Sequence, residues 1–202
     1  MRVISGAIDS KESNMRVWSI VTLALISGVA LADPPQASAP KEPGKPVAVT
    51  LDGLTSVVPA SWQSVKPANL LRSHQFKIAK AVGDKEDGTV FVLTTVHGTP
   101  QENIAMLKGL FVLPTNMSKS EAVREWEIKN SKATLTCVDI QGTFYVKDKP
   151  VDVAVKEVRP DYRMIAAVWV SKDASYSIRM VGPKKTLEFH AKEFEQWLRN
   201  FK

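Results

Sequence analysis

Residues Arg163 to Val170 read RMIAAVWV, and Tyr176 to Val181 follow as YSIRMV. The first run is apolar on both of its alternating faces. A strand with that pattern sits in the middle of a sheet and is covered on both sides. Ser171 to Ala174 turn it into the second run, where Tyr176, Ile178 and Met180 alternate with Ser177 and Arg179. Before it, Ala133 to Val146 read as a long strand. Leu135 and Cys137 share one face, while Val138, Ile140 and Phe144 share the other, and Gly142 marks a bulge. After it, Gly182-Pro183 open a last helix. Its apolar face is Leu187, His190, Ala191, Phe194, Trp197, Leu198 and Phe201, with Glu188–Lys192 and Glu195–Arg199 at i,i+4 spacing.

The N-terminal half carries the same punctuation. Val47 to Leu51 and Leu54 to Val58 are β-prone runs split by Asp52-Gly53, a hairpin signal. Arg72 to Lys80 and Thr89 to His97 form a second hairpin across Gly83-Asp84-Lys85-Glu86-Asp87-Gly88. Centring it on Lys85 and Glu86 puts Ile78 opposite Leu93 and Phe76 opposite Thr95, so the apolar faces coincide. Thr99-Pro100-Gln101-Glu102 opens a helix, with Thr as N-cap and Pro at the first position. Its stripe is Ile104, Met106, Leu107, Leu110 and Phe111, and Pro114 stops it. Ala122 to Lys129 read as a short strand. Strands, helix, strands, helix, with hairpins dominant, predict an α+β fold: one domain with an antiparallel β-sheet sandwiched by helices.

Residues 47–202 are that domain, the size of an ordinary one. Residues 33–46, DPPQASAPKEPGKP, are a Pro/Ala-rich linker that cannot bury a core. Residues 15–32, MRVWSIVTLALISGVALA, have the build of a signal peptide: Arg16, an apolar run from Ile20 to Val29, and small residues at Ala30 and Ala32. The uncharged run from Val17 to Ala32 is shorter than the roughly 20 residues a span requires. Asp33, not Cys, follows it, so a lipid anchor has no acceptor thiol. Residues 1–14 fit no part of a signal and read as a non-native extension, with Met15 as the start. The expectation is an exported protein, periplasmic or extracellular, with no stable membrane insertion after cleavage.

The chain carries 27 Lys+Arg against 21 Asp+Glu, a net charge of +6. The basic residues are dispersed, and Lys184-Lys185 is the longest run, so no nucleic-acid footprint is present. An anionic surface component is compatible with that charge. Cys137 stands alone in an apolar run and reads as a buried small hydrophobe. The domain therefore holds together by its core.

The sequence holds no nucleophile elbow, phosphate loop, zinc motif or calcium loop, and no cofactor is expected. The sharpest candidate is a histidine pair. The register above sets His74 opposite His97, and two imidazoles across a strand pair can hold a divalent metal. His190 could add a third ligand. The blander reading makes each a half-buried histidine with one hydrogen-bond partner. Asp139 interrupts an apolar strand, and Asp161 lies beside Arg159 and Arg163. Either carboxylate could do acid–base work, but a buried Asp–Arg pair is more often structural. Asp84 to Gly88 read as a solvated turn, and Trp62, Trp126, Trp169 and Trp197 as core.

A resemblance rests on Pro59-Ala60-Ser61-Trp62, on Arg72 with Gln75-Phe76-Lys77-Ile78, and on Gly83-Asp84-Lys85-Glu86-Asp87. Tyr162-Arg163-Met164 and Gly182-Pro183 with Lys185-Thr186 complete it. Through these residues the chain resembles uncharacterised exported bacterial domains, and more loosely the PsbP-like fold of photosystem II accessory proteins. That resemblance implies an antiparallel sheet between helices in a protein that binds or assembles. The functional expectation is an exported non-enzymatic binding or accessory module whose partner is an unknown envelope protein or an anionic surface component. The alternative is a metal-dependent or hydrolytic envelope enzyme using His74, His97 or Asp161.

Overall fold

A computed structural model describes residues 46–202, except residues 95, 131–132, 151 and 172–173. The extension, the signal peptide and nearly all of the linker lie outside the described residues. In chain order the elements are β1 (Ala48–Leu51), β2 (Leu54–Val57), β3 (Gln63–Ser64), β4 (Arg72–Ile78) and β5 (Gly88–Thr94). Then come α1 (Pro100–Lys108), β6 (Phe111–Val112), α2 (Lys119–Ala122), β7 (Val123–Lys129) and β8 (Thr134–Val146). Finally come β9 (Glu157–Val170), β10 (Ser175–Pro183) and α3 (Lys184–Arg199).

The strand expected at the centre is at the centre. β9 pairs with β10 on one side and β8 on the other, in an antiparallel sheet ordered β3-β4-β5-β10-β9-β8, with β6 and β7 both on the far edge of β8. Its side chains divide by parity. Ile165, Ala167 and Trp169 enter a core with Leu187, Phe194, Trp197 and Leu198 of α3 and with Phe201 just beyond its end. Met164, Ala166 and Val168 enter a second core with Ile104 and Leu107 of α1. The β1–β2 hairpin turns at Asp52-Gly53 and adds Val49, Leu51 and Leu54 to the α3 side. Helices therefore cover both faces of one antiparallel sheet, and strands predominate.

Several boundaries move for identifiable reasons. α1 opens as expected: Thr99 Oγ1 accepts the Glu102 N–H, and the Glu102 carboxylate accepts the Thr99 N–H at 2.7 Å. It ends at Lys108 rather than near Pro114, with Gly109 as C-cap, because Phe111 and Val112 pair with Phe144 and Thr143 of β8. The turn before β7 is a short helix, α2, closed by a second capping box between Ser118 and Glu121. β9 begins at Glu157, so its first half carries polar residues that its apolar pattern does not announce.

The larger correction concerns the β4–β5 hairpin. Ile78 faces Gly88, Phe76 faces Val90 and His74 faces Val92, an offset of five residues from the expected register. Residues 79–87 do not extend the two strands into a tight turn. They form a packed loop in which Lys80 N–H donates to Asp87 Oδ1 at 2.9 Å and Asp84 reaches α3. The offset is odd. It therefore carries one histidine of the expected pair to the opposite sheet face.

Candidate functional site

α1 has nine residues, about 14 Å of helix. The ordered strands beneath it span about 30 Å. α1 packs on β8 and β9 and leaves the β4–β5–β10 half of the same face uncovered. That half is the floor of a cleft with a volume of about 650 Å³, within the range of roughly 300–1,000 Å³ typical of small-molecule sites. One wall comes from α1, with Asn103 and Met106. The other comes from the far end of the β8–β9 hairpin, with Phe144 to Asp148 and Arg159.

Strand register builds the floor in rows. Phe91 lies between Gln75 of β4 and Arg179 of β10, and Arg179 in turn faces Ala166 of β9. One pair along, Leu93 lies between Arg72 and Ser177. Both arginines converge on one ring. The Arg72 guanidinium carbon stands 3.9 Å from the Phe91 centroid and that of Arg179 stands 5.9 Å away. Arg179 is only 7% exposed, and its Nε–H donates to Ser177 Oγ at 2.9 Å. Burial, and next the neighbouring Arg72, pull its pKa down to about 10. Arg72 donates from Nη1 to Gln75 Oε1 at 2.9 Å, and its buried Nε has no hydrogen-bond partner.

The acidic residues at the rim are already paired. Glu86 accepts the Tyr162 hydroxyl and stands 3.7 Å from Arg159. Asp87 pairs with Lys77 at 2.7 Å and Asp148 with Lys156 at 2.6 Å. Arg159 also donates to Glu157 at 2.7 Å and to the Tyr162 hydroxyl at 3.1 Å. Burial, followed by the Glu86 bond, pushes the Tyr162 phenol up to about 12. Tyr162 is therefore a fixed neutral hydroxyl at physiological pH.

The histidines are dispersed. His74 shares its strand face with Phe76 and Ile78 on the α3 side, and its Nδ1 lies 3.0 Å from Ser73 Oγ. Burial holds its pKa below the usual histidine range. His97 lies beyond the end of β5 and lines the cleft on the other face. His190 is buried under α3, with Nε2 3.0 Å from Ala79 O and Nδ1 3.4 Å from Glu193. The cross-strand pair His74–His97 is thus not formed. Among the described residues, no three His, Cys, Asp or Glu side chains group closely enough to hold a metal ion.

The two carboxylates separate as well. Asp139 takes a two-pronged bond from Arg163, Nε to Oδ1 at 2.8 Å and Nη2 to Oδ2 at 2.6 Å, across the β8–β9 pair. Asp161 makes no such pair. It sits in the β9 side of the bulge with φ 55°, next to Tyr162, which pairs with Gly142 at φ 154°. Trp62, Trp169 and Trp197 are buried in the α3 core, and Trp126 is partly buried under the Arg124 guanidinium at 4.3 Å. Sequence reasoning passed over Arg72 and Arg179. The available signal was a cation on the second face of a strand beside a two-sided apolar one, where a solvated face is not on offer.

No family model matches the chain, and no curated protein matches it. Among solved structures the chain is similar to the Saccharomyces cerevisiae Ran-binding protein Mog1p. The two are 13% identical with a TM-score of 0.42, over 78% of this chain and 94% of that one.

Proposed function

We propose that residues 47–202 are a non-catalytic binding or accessory module of PsbP-like fold, and that its binding surface is the cleft beside α1. The observation that carries this reading is the cleft itself, a concave region of about 650 Å³ held open because α1 covers only part of its sheet face. Its frame is rigid: Glu86, Tyr162, Arg159 and Glu157 form one bonded chain, and Asn103 Nδ2 donates to the carbonyls of His97 and Thr99, both at 2.9 Å. Among the described residues lining the cleft, no serine, threonine or cysteine is hydrogen-bonded to a histidine or carboxylate base. The resemblance to PsbP-like accessory proteins leads the same way.

The signal-like segment at residues 15–32 supports export, with an envelope protein or an anionic surface component as partner. Cell fractionation with N-terminal sequencing tests this half. Asp33 as the first residue of exported protein agrees with it, and a cytosolic product retaining residues 15–32 contradicts it. The binding half is tested by thermal shift against a panel of envelope-derived small molecules and surface polymers. A ligand that raises Tm in the native protein and not in Thr89→Trp, which fills the cleft, supports the reading. A panel without such a ligand, or turnover of one, overturns it.

A further inference from the structure

The charges lining the cleft do not balance. Each carboxylate there already has a cation: Glu86 has Arg159, Asp87 has Lys77 and Asp148 has Lys156. Arg72 and Arg179 have none. Their protein partners are neutral, the Gln75 amide oxygen, the Ser177 hydroxyl and the Phe91 ring. Arg179 is nevertheless only 7% exposed, and a buried charge whose protein partner is a neutral hydroxyl is costly to fold. Arg72 stands over the same ring and adds like-charge repulsion. The hydrogen-bond capacity is also unspent. Among the described residues, neither the Nη atoms of Arg179 nor the Nη2 of Arg72 meet a hydrogen-bond partner, and the Arg72 Nε is buried without one.

We infer that the cleft binds a small amphiphilic anion, its carboxylate or phosphate head held by Arg72 and Arg179 and its apolar body lying along Phe91, Leu93, Met106 and Val181. This inference rests on the reading of the cleft as the binding surface and names the chemistry of what it takes. A planar guanidinium presents paired N–H groups that match two oxygens of a carboxylate or phosphate. The anion supplies the opposite charge that Arg179 lacks and cancels its repulsion with Arg72. A free inorganic ion would meet the head site and leave the apolar floor wet. An uncharged apolar ligand would cover the floor and leave both cations unpaired.

Isothermal titration of the purified domain with octanoate, octyl phosphate, octanol and inorganic phosphate tests it, alongside the Arg179→Met and Arg72→Met variants. The expected result is that octanoate or octyl phosphate binds at least tenfold more tightly than octanol and than inorganic phosphate. The tighter of the two identifies the head group. Arg179→Met and Arg72→Met each weaken it tenfold or more, and Arg179→Lys retains part of the affinity. Thermal unfolding of each variant confirms that it is folded. Octanol binding as tightly as octanoate, or an Arg179→Met variant that binds unchanged, overturns the anion inference and leaves the cleft as a binding surface. Inorganic phosphate binding as tightly as octyl phosphate overturns the amphiphile. No heat with any of the four overturns the inference and counts against the cleft.

Discussion

Asp84 Oδ2 accepts two hydrogen bonds from Thr186, from the backbone N–H at 2.7 Å and from the hydroxyl at 2.6 Å. The Thr186 hydroxyl in turn accepts the Ala81 N–H at 3.0 Å. α3 starts after Pro183, which has no side chain to cap the helix. The cap comes instead from the β4–β5 loop, roughly a hundred positions away, and satisfies an N–H that the first turn leaves free. The negative charge also meets the positive end of the helix. One residue thus closes a helix and pins a loop beside the cleft. Asp84→Ala is expected to lower stability by about 1–2 kcal/mol, seen as a lower urea midpoint with an unchanged slope. An unchanged midpoint contradicts the capping role.

The bulge that contains Asp161 makes a second prediction. A Cβ added at Gly142 would stand 2.4 Å from the Val112 carbonyl oxygen, so β6 would have to leave its place beside β8. Gly142→Ala is expected to cost about 1–3 kcal/mol. Asp161, at φ 55°, occupies the left-handed region that a β-branched residue tolerates poorly. Asp161→Val should cost about 1–2 kcal/mol and Asp161→Gly close to nothing. A large loss in Asp161→Gly would show that the carboxylate, not the backbone, is what the position needs.

Arg179 sets stability against binding. Its guanidinium is buried with only neutral partners, and the depressed pKa expresses that cost. Arg179→Met is therefore expected to raise stability, on the order of 1 kcal/mol or more, while it weakens anion binding. Differential scanning calorimetry without ligand reads this directly. A lower Tm for the variant would mean that Arg179 is a structural residue.

Cys137 is fully buried against the α3 side, and burial, followed by the Glu195 carboxylate, raises its pKa from 9.0 to about 12. The thiolate is disfavoured in the fold, so a disulfide reagent at pH 8 should label Cys137 only through opening of the domain. Rapid labelling of native protein contradicts this. The pH dependence follows from the same shift. Below about pH 9 both states carry the neutral thiol and no stability depends on it. Between pH 9 and 12 the unfolded chain ionises first, so stability falls as pH rises. Cys137→Ala should remove that part of the alkaline slope.

The two-sided run at Arg163–Val170 placed the central strand and implied cover on both faces, because burial on two sides leaves a double apolar pattern. The α1 cap was legible for a related reason. Thr99 and Glu102 act within one turn, so their spacing in the chain is their spacing in space. The β4–β5 register was not legible. It depends on a loop whose shape is set by Asp84 reaching Thr186, a contact between distant segments. With it went the His74–His97 pair. Arg179 was hidden in the same way: alternation in YSIRMV assigns it a face, and only the short reach of α1 makes that face a cleft. Asp139 and Asp161 divided because pairing across β8 and β9 selected Arg163 for one and a bulge claimed the backbone of the other.

The central claim is that the open half of the α1 face binds an anion at Arg72 and Arg179. Amide and arginine Nε–H NMR spectra of the labelled domain, recorded through an octanoate titration, test it most directly. The account predicts saturable shifts at Arg72, Phe91, Leu93, Ser177 and Arg179, including both arginine Nε–H signals, with little change at Phe194, Trp197 and Leu198 on the other face. Shifts centred on the α3 face, or none at the two arginines, would contradict it.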